Sequence, residues 1–339
     1  MSVPRTDSAR LTLAVLTLAA IACSETSRLP TSAPSTIARA QVVFGDLMDD
    51  SEAEGTLSYA VAATKFVDQA YATRSSAQKL DLYLPTTGTK PFPVVLWIHG
   101  GGWQSGTKYL SSTAAQLALV AQGYAIASVN YRLSWEAKFP AQIQDVKASV
   151  RWLRANAKRF NLDTARVGAW GASAGGHLAA LLGTSNGVLA LTDPTLGNAS
   201  MSERVKAVTD FYGPVSFRSM DAQLALDGCP LYNGIGFASP RSPSSLLLGA
   251  AINTVPAKVA AADPITYLGA GDPRFFIQQG SADCTVPYQQ STTLRDAIIT
   301  KVGASKVTYQ QMPGYVHSDR RFMSSSNVLK VINFFKSSL

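Results

Sequence analysis

Short apolar runs alternating with helical segments predict an α/β fold: a mostly parallel sheet with helices on both faces and an inserted cap. Three observations carry that reading. The run 94–98 (VVLWI) is continuously apolar, as a strand buried on both sides is, and 124–129 reads the same way. Behind Pro140, the residues Ile143, Val146, Val150 and Leu153 recur at helical spacing. The run 167–170 passes into a helix from Ala174 through the sharp, glycine-flanked turn GASAG at 171–175.

The other elements follow in order. Strand-like patterning starts near residue 60, and 78–84 (QKLDLYL) alternates apolar and polar side chains as a half-buried strand does. The stretch 110–122 reads as a helix that stops at Gly123. Strands are expected at 205–211 and 275–279, a last strand at 307–312 and a closing helix at 328–335. One region breaks the rhythm. Residues 213–262 hold Pro214, Pro230, Pro240, Pro243 and Pro256 among scattered Gly and Ser. So long a structureless loop is not expected inside a compact domain, so this stretch reads as a cap of short helices over the strand ends.

Upstream of residue 56 the composition changes. Arg5 and Arg10 precede a short apolar core ending at Ala22, and Cys23 follows. Residues 1–23 therefore read as an export signal. Cys23 would be the lipidated first residue of an exported lipoprotein; the alternative is plain secretion with cleavage nearby. Residues 24–55, rich in Ser, Thr, Ala and Pro and then acidic, read as a flexible linker, and 56–339 as the catalytic domain. The expected location is the periplasm, the outer membrane or the exterior. Any membrane contact would be through the N-terminal lipid, because no apolar run is long enough to span. The net charge is +8 over 339 residues, but Lys and Arg are dispersed without a basic run, so no nucleic-acid partner is expected. Setting Cys23 aside leaves Cys229 and Cys284, which outside the cytoplasm are expected to be bonded; two buried thiols are the alternative. No Cys/His cluster has ligand spacing, so no metal is expected.

The chemistry concentrates in four places. In GASAG, Ser173 sits where a strand turns into a helix, which would expose its hydroxyl, and glycines flank it where a Cβ would collide with backbone. HGGGW at 99–103 follows the VVLWI strand. The unhindered N–H groups of Gly101, Gly102 or Trp103, with that of Ala174, would hold an oxyanion. Three histidines are available as base. His99 heads the glycine loop and is read as a brace, and His177 lies one turn along the helix after Ser173. His317, after the last strand, is the choice. Asp283, after the strand 275–279, would orient it; Asp263 and Asp319 are rivals. The order Ser173, Asp283, His317 is that of an α/β-hydrolase. Arg132 and Asp145 are read as a buried structural pair. Trp103 would form a wall of the substrate pocket.

HGGGW, VNYRL, FPAQIQDVKASVRWLRANA, VGAWGASAGGHLAAL, DFYGPVSF and GSADCTVP together resemble the bacterial feruloyl-esterase-like branch of the α/β-hydrolases, related to the hormone-sensitive-lipase-like esterases. The resemblance spans about residues 60–339. It implies a carboxylic ester hydrolase that needs no cofactor, with Ser173, Asp283 and His317 at the catalytic positions and HGGGW at the oxyanion position. One departure is PGYVHSD around the histidine, where Tyr315 and Val316 would narrow the pocket. The substrate expected is a small-molecule or polysaccharide ester, carrying acetyl, feruloyl or other short acyl groups. Two rivals stand: an arylformamidase or peptidase-type amide hydrolase on this fold, and a non-catalytic binding module.

Overall fold

The structure, a computed structural model, describes residues 62–112 and 114–339 together with the backbone of Ser35 and Thr36. The export signal and Cys23 lie outside the described residues, as does the linker 24–55 apart from those two. Among the described residues the strands are β1 (Ser35–Thr36), β2 (Ala63–Ala70), β3 (Lys79–Pro85), β4 (Phe92–Ile98), β5 (Ala125–Val129), β6 (Leu162–Ala172), β7 (Ala207–Phe211), β8 (Arg274–Gly280) and β9 (Val307–Met312). They form one sheet in the order β1-β2-β3-β5-β4-β6-β7-β8-β9. The pairings β1–β2, β2–β3 and β3–β5 are antiparallel, and all later ones are parallel. This is the α/β-hydrolase fold.

The helices are α1 (Ala118–Ala121), α2 (Ala141–Ala155), α3 (Ala157–Phe160), α4 (Ala174–Thr184), α5 (Met220–Leu226), α6 (Pro243–Leu248), α7 (Pro256–Ala262), α8 (Gln289–Lys301) and α9 (Ser325–Ser338). Period-two alternation along β4 explains why its sequence is apolar throughout. Val94, Leu96 and Ile98 join the core layer that holds Ile143 and Val146 of α2 and Leu178 of α4. Val95 and Trp97 join the opposite layer, with Val328 and Val331 of α9. Each side chain has a covered face to enter, so no polar position is needed.

Two sequence expectations change. The stretch 110–122 is helical only from a 3₁₀ turn at Ala115–Leu117 through α1. Ser111 and Ser112 would lie inside such a helix, and hydroxyls that compete for backbone groups disfavour a helix interior. Helix α8 has no counterpart in the sequence reading. It buries only Gln290, Ser291, Leu294 and Ile298, so its apolar period is too weak to see. Between β7 and β8 the proline-rich stretch holds α5, α6 and α7. Prolines open two of these helices, with Ser242 accepting from Ser245 N–H at the start of α6.

Candidate active site

The site is built at the C-terminal ends of the parallel strands. Strand β6 ends at Ala172 and α4 starts at Ala174, leaving Ser173 alone in the turn at φ 56°, ψ −122°. Such a conformation costs a non-glycine residue about 1–3 kcal/mol and persists only where neighbours impose it. Ser173 N–H donates to Phe211 O at 2.8 Å, and Ser173 O accepts from His177 N–H at 3.0 Å. The flanking glycines are steric necessities. A Cβ on Gly171 would lie 2.0 Å from Gly175 O, and one on Gly175 2.0 Å from Ile98 O.

His317 Nε2 lies 3.0 Å from Ser173 Oγ, and its Nδ1 lies 2.8 Å from Asp283 Oδ2. Three residues far apart in sequence thus form one relay. Asp283 is held from every side. Its Oδ1 accepts from Thr285 N–H at 2.8 Å and Val286 N–H at 2.9 Å, and its Oδ2 from Gln279 Nε2 at 3.0 Å. The loops carrying Asp283 and His317 are knitted together: Ser281 N–H donates to Met312 O and Ala282 N–H to Tyr315 O, both at 3.0 Å.

The rivals are engaged elsewhere. Asp263 accepts from Ile265 N–H at 2.9 Å, and burial lifts its carboxyl to about 6. Asp319 pairs with Arg321 at 2.7 Å, which holds it down at about 2. His177 points away from the serine hydroxyl, its Nε2 2.8 Å from Ala262 O; burial lowers it to about 4, as it does His99. Both rings are neutral at pH 7 and act as struts. His99 Nδ1 lies 2.8 Å from Gly100 O, its ring stacks on Tyr131 at 4.5 Å, and Tyr131 Oη donates to His99 O at 3.0 Å.

The glycine loop bends back over the nucleophile. Gly101, Gly102 and Trp103 all have positive φ, at 99°, 59° and 58°. Gly101 O accepts from Gln104 N–H at 3.0 Å and Ser105 N–H at 3.1 Å, which closes the turn. Among the described residues, the N–H groups of Gly101, Gly102 and Trp103 make no hydrogen bond. Ala174, as the first residue of α4, has no intrahelical acceptor for its own. Behind the loop, Ser134 N–H donates to Trp103 O at 2.7 Å. Two residues before Ser134, Arg132 is locked to the fully buried Asp145 through Nε and Nη2, at 2.9 and 2.8 Å.

A cavity of about 880 Å³ opens over Ser173 and His317. The glycine loop and Trp103 wall one side, and Phe217, Tyr232 and Phe237 from the stretch before β8 cover it. Trp103 is buried edge-on to His177 at 5.2 Å and to Phe217 at 5.4 Å, so it is both wall and core. Tyr315, expected beside the substrate, does not line this cavity. Its ring packs instead between the buried Phe322, at 5.1 Å, and the Arg321 guanidinium, at 4.0 Å, and so does not narrow the pocket. Cys229, just after α5, is bonded to Cys284, the neighbour of Asp283, with Cα atoms 5.4 Å apart. Sequence reasoning missed Gln279. It donates to Asp283 and, at 2.9 Å, to Val286 O, while its Oε1 accepts from Ser291 Oγ at 3.0 Å. The available signal was a buried-strand pattern, FFI, ending in two glutamines directly before the acid loop.

The BD-FAE family profile matches residues 80–298, more than half of the chain. The esterase LipC of Mycobacterium tuberculosis is 29% identical over 71% of this chain and 57% of its own length. The probable carboxylic ester hydrolase LipM of the same organism is 28% identical over 74% of this chain and 55% of its own. The chain thus spans little more than half the length of these relatives. Among solved structures, a truncated carbohydrate esterase from gut microbiota superposes with a TM-score of 0.73 at 29% identity, over 84% of this chain and 99% of that one. A bifunctional GH43-CE protein of Bacteroides eggerthii gives 0.72 at 33% identity, over 80% of this chain and 35% of its own. With its strand order, its glycine-flanked serine and these likenesses, the chain belongs to the BD-FAE family of α/β-hydrolases, within the feruloyl-esterase-like and hormone-sensitive-lipase-like branch.

Proposed function

We propose that the protein is a serine carboxylic ester hydrolase working through an acyl-enzyme. The observation that carries this reading is the relay from Asp283 through His317 to Ser173, beneath an open cavity. Ser173 Oγ attacks the ester carbonyl as His317 Nε2 takes its proton. Asp283 keeps the proton on Nδ1 and stabilises the imidazolium. The N–H groups of Gly101, Gly102 or Trp103, with that of Ala174, receive the oxyanion. His317 then protonates the departing alcohol, and water, activated by the same imidazole, releases the acid. Every step uses side chains and backbone of this chain.

The likeness to carbohydrate esterases supports substrates that are acetyl or feruloyl esters of polysaccharide. An exported protein held by a lipid on Cys23 would meet such substrates outside the cell. Mass spectrometry of the mature N-terminus tests that location: an unmodified or uncleaved N-terminus would remove the anchor. The test of the reaction is a panel of 4-nitrophenyl esters from acetate to decanoate, methyl ferulate, acetylated xylan and formylkynurenine. It is run on wild type and Ser173→Ala. Wild type should turn over the esters in preference to the amide. Ser173→Ala should lose about 10⁴-fold or more in kcat while staying folded. A serine variant as active as wild type would remove the nucleophile, and turnover of formylkynurenine alone would favour an amidase.

A further inference from the structure

We infer that the cavity carries a carboxylate-binding subsite at Arg241, and that the preferred esters bear an acidic group such as a uronic acid unit; this rests on the esterase reading above. Among the described residues that line the cavity there is no Asp or Glu, and Arg241 is the one permanent charge. Asp283, behind His317, does not line it; its oxygens are engaged by Thr285, Val286, Gln279 and His317. The Arg241 guanidinium has no carboxylate partner among the described residues; it is the residue's backbone N–H that donates, to Ser239 Oγ at 3.3 Å. An exposed cation of this kind is free to meet a ligand anion.

The segment that carries Arg241 is built rather than loose. Asp221 accepts from Phe237 N–H at 2.7 Å and Ala238 N–H at 2.9 Å, which pins the chain just ahead of Arg241. Ser242 Oγ donates to Phe237 O at 2.8 Å, and Ser242 N–H to Ser239 O at 3.1 Å. Two residues on from Arg241, Pro243 meets the glycine loop: a Cβ on Gly102 would lie 3.4 Å from Pro243 Cβ. The backbone that carries Arg241 is thereby held against the glycine loop, and its side chain lines the same cavity as Ser173. Gln104, Asn233 and Tyr232 also line the cavity and offer hydrogen bonds and a ring face to a sugar. A planar, five-donor guanidinium suits a carboxylate better than a hydroxyl. A wall free of acids leaves that preference unopposed.

The experiment compares acetate release from an acetyl ester of methyl glucuronoside with that from the matching ester of methyl glucoside. Wild type should favour the acidic ester by about tenfold in kcat/KM at low salt, with the ratio shrinking as salt screens the charge. Arg241→Gln should bring the ratio to about one, Arg241→Lys should retain part of it, and Arg241→Glu should invert it. A wild-type ratio of one, or one that Arg241→Gln leaves intact, overturns the subsite. Calorimetric titration of Ser173→Ala, alone and combined with Arg241→Gln, with methyl glucuronoside and methyl glucoside reads the subsite without turnover. If wild type hydrolyses neither these two esters nor 4-nitrophenyl acetate, the esterase reading falls; in either case this titration decides the subsite: tighter, Arg241-dependent binding of the uronoside upholds it, and equal binding removes it.

Discussion

Replacing Asp283 by Asn probes the relay more sharply than removing the nucleophile, because the shape stays and one proton moves. Asp283 Oδ1 receives two backbone N–H groups, at 2.8 and 2.9 Å, so the asparagine must place its carbonyl oxygen there. Its NH₂ then occupies the Oδ2 position, 3.0 Å from Gln279 Nε2 and 2.8 Å from His317 Nδ1. Gln279 cannot turn to accept, because its amide is fixed by Val286 O and Ser291 Oγ at 2.9 and 3.0 Å. His317 must therefore present a bare Nδ1 and carry its proton on Nε2, facing Ser173. An imidazole in that state cannot take the serine proton. The expected loss is about 10⁴ in kcat, the size found when a triad aspartate becomes asparagine, which is about 5.5 kcal/mol of transition-state stabilisation. KM should move little, since Asp283 does not line the cavity. Steady-state kinetics on 4-nitrophenyl acetate measure the loss, and ¹⁵N spectra of the imidazole report which nitrogen is protonated. A folded Asp283→Asn protein within tenfold of wild-type kcat, or one that keeps its Nδ1 proton, would refute the reasoning.

Two further outcomes follow from buried groups and the cross-link. Asp210 is fully buried at the end of β7 with one oxygen unpartnered, and burial raises its carboxyl to about 7. The folded state holds a proton there that the unfolded chain releases near its ordinary value of 3.8, so this group's contribution to stability falls as pH rises from about 4 to 7. Asp210→Asn should therefore gain on wild type across that window, by about 4 kcal/mol at pH 8, and urea unfolding at pH 5 and pH 8 measures the difference. A gain independent of pH would show that Asp210 ionises freely. The Cys229–Cys284 bond closes a loop of 55 residues, for which loop entropy alone gives about 4 kcal/mol. The double serine variant should unfold at a correspondingly lower urea midpoint; an unchanged midpoint would mean that the bond adds nothing.

Much of the site was legible because its signals are local. A nucleophile turn needs glycines two residues on either side of the serine, and GASAG displays them in a row; the loop HGGGW is equally compact. The positions of the central strands followed from apolar runs, because those strands are buried on faces that their own side chains reveal. Helix α8 was invisible for the converse reason, since only two of the four residues it buries, Leu294 and Ile298, are apolar. Tyr315 misled because proximity in sequence to His317 says nothing of which way a ring turns; Phe322 and Arg321 decide that.

The sequence by itself determined the fold class, the nucleophile turn and the glycine loop. These depend on backbone sterics and burial periodicity within a dozen residues. Only the tertiary structure decided that Asp283 rather than Asp263 or Asp319 meets His317, that Gln279 fixes that acid, and that Arg241 stands in a cavity free of acidic side chains. The relay and the cavity lining rest on contacts between segments tens to more than a hundred residues apart, and even Gln279, four residues before Asp283, is oriented by its bond to Ser291 on α8; packing of the whole chain, not any local preference, sets these distances.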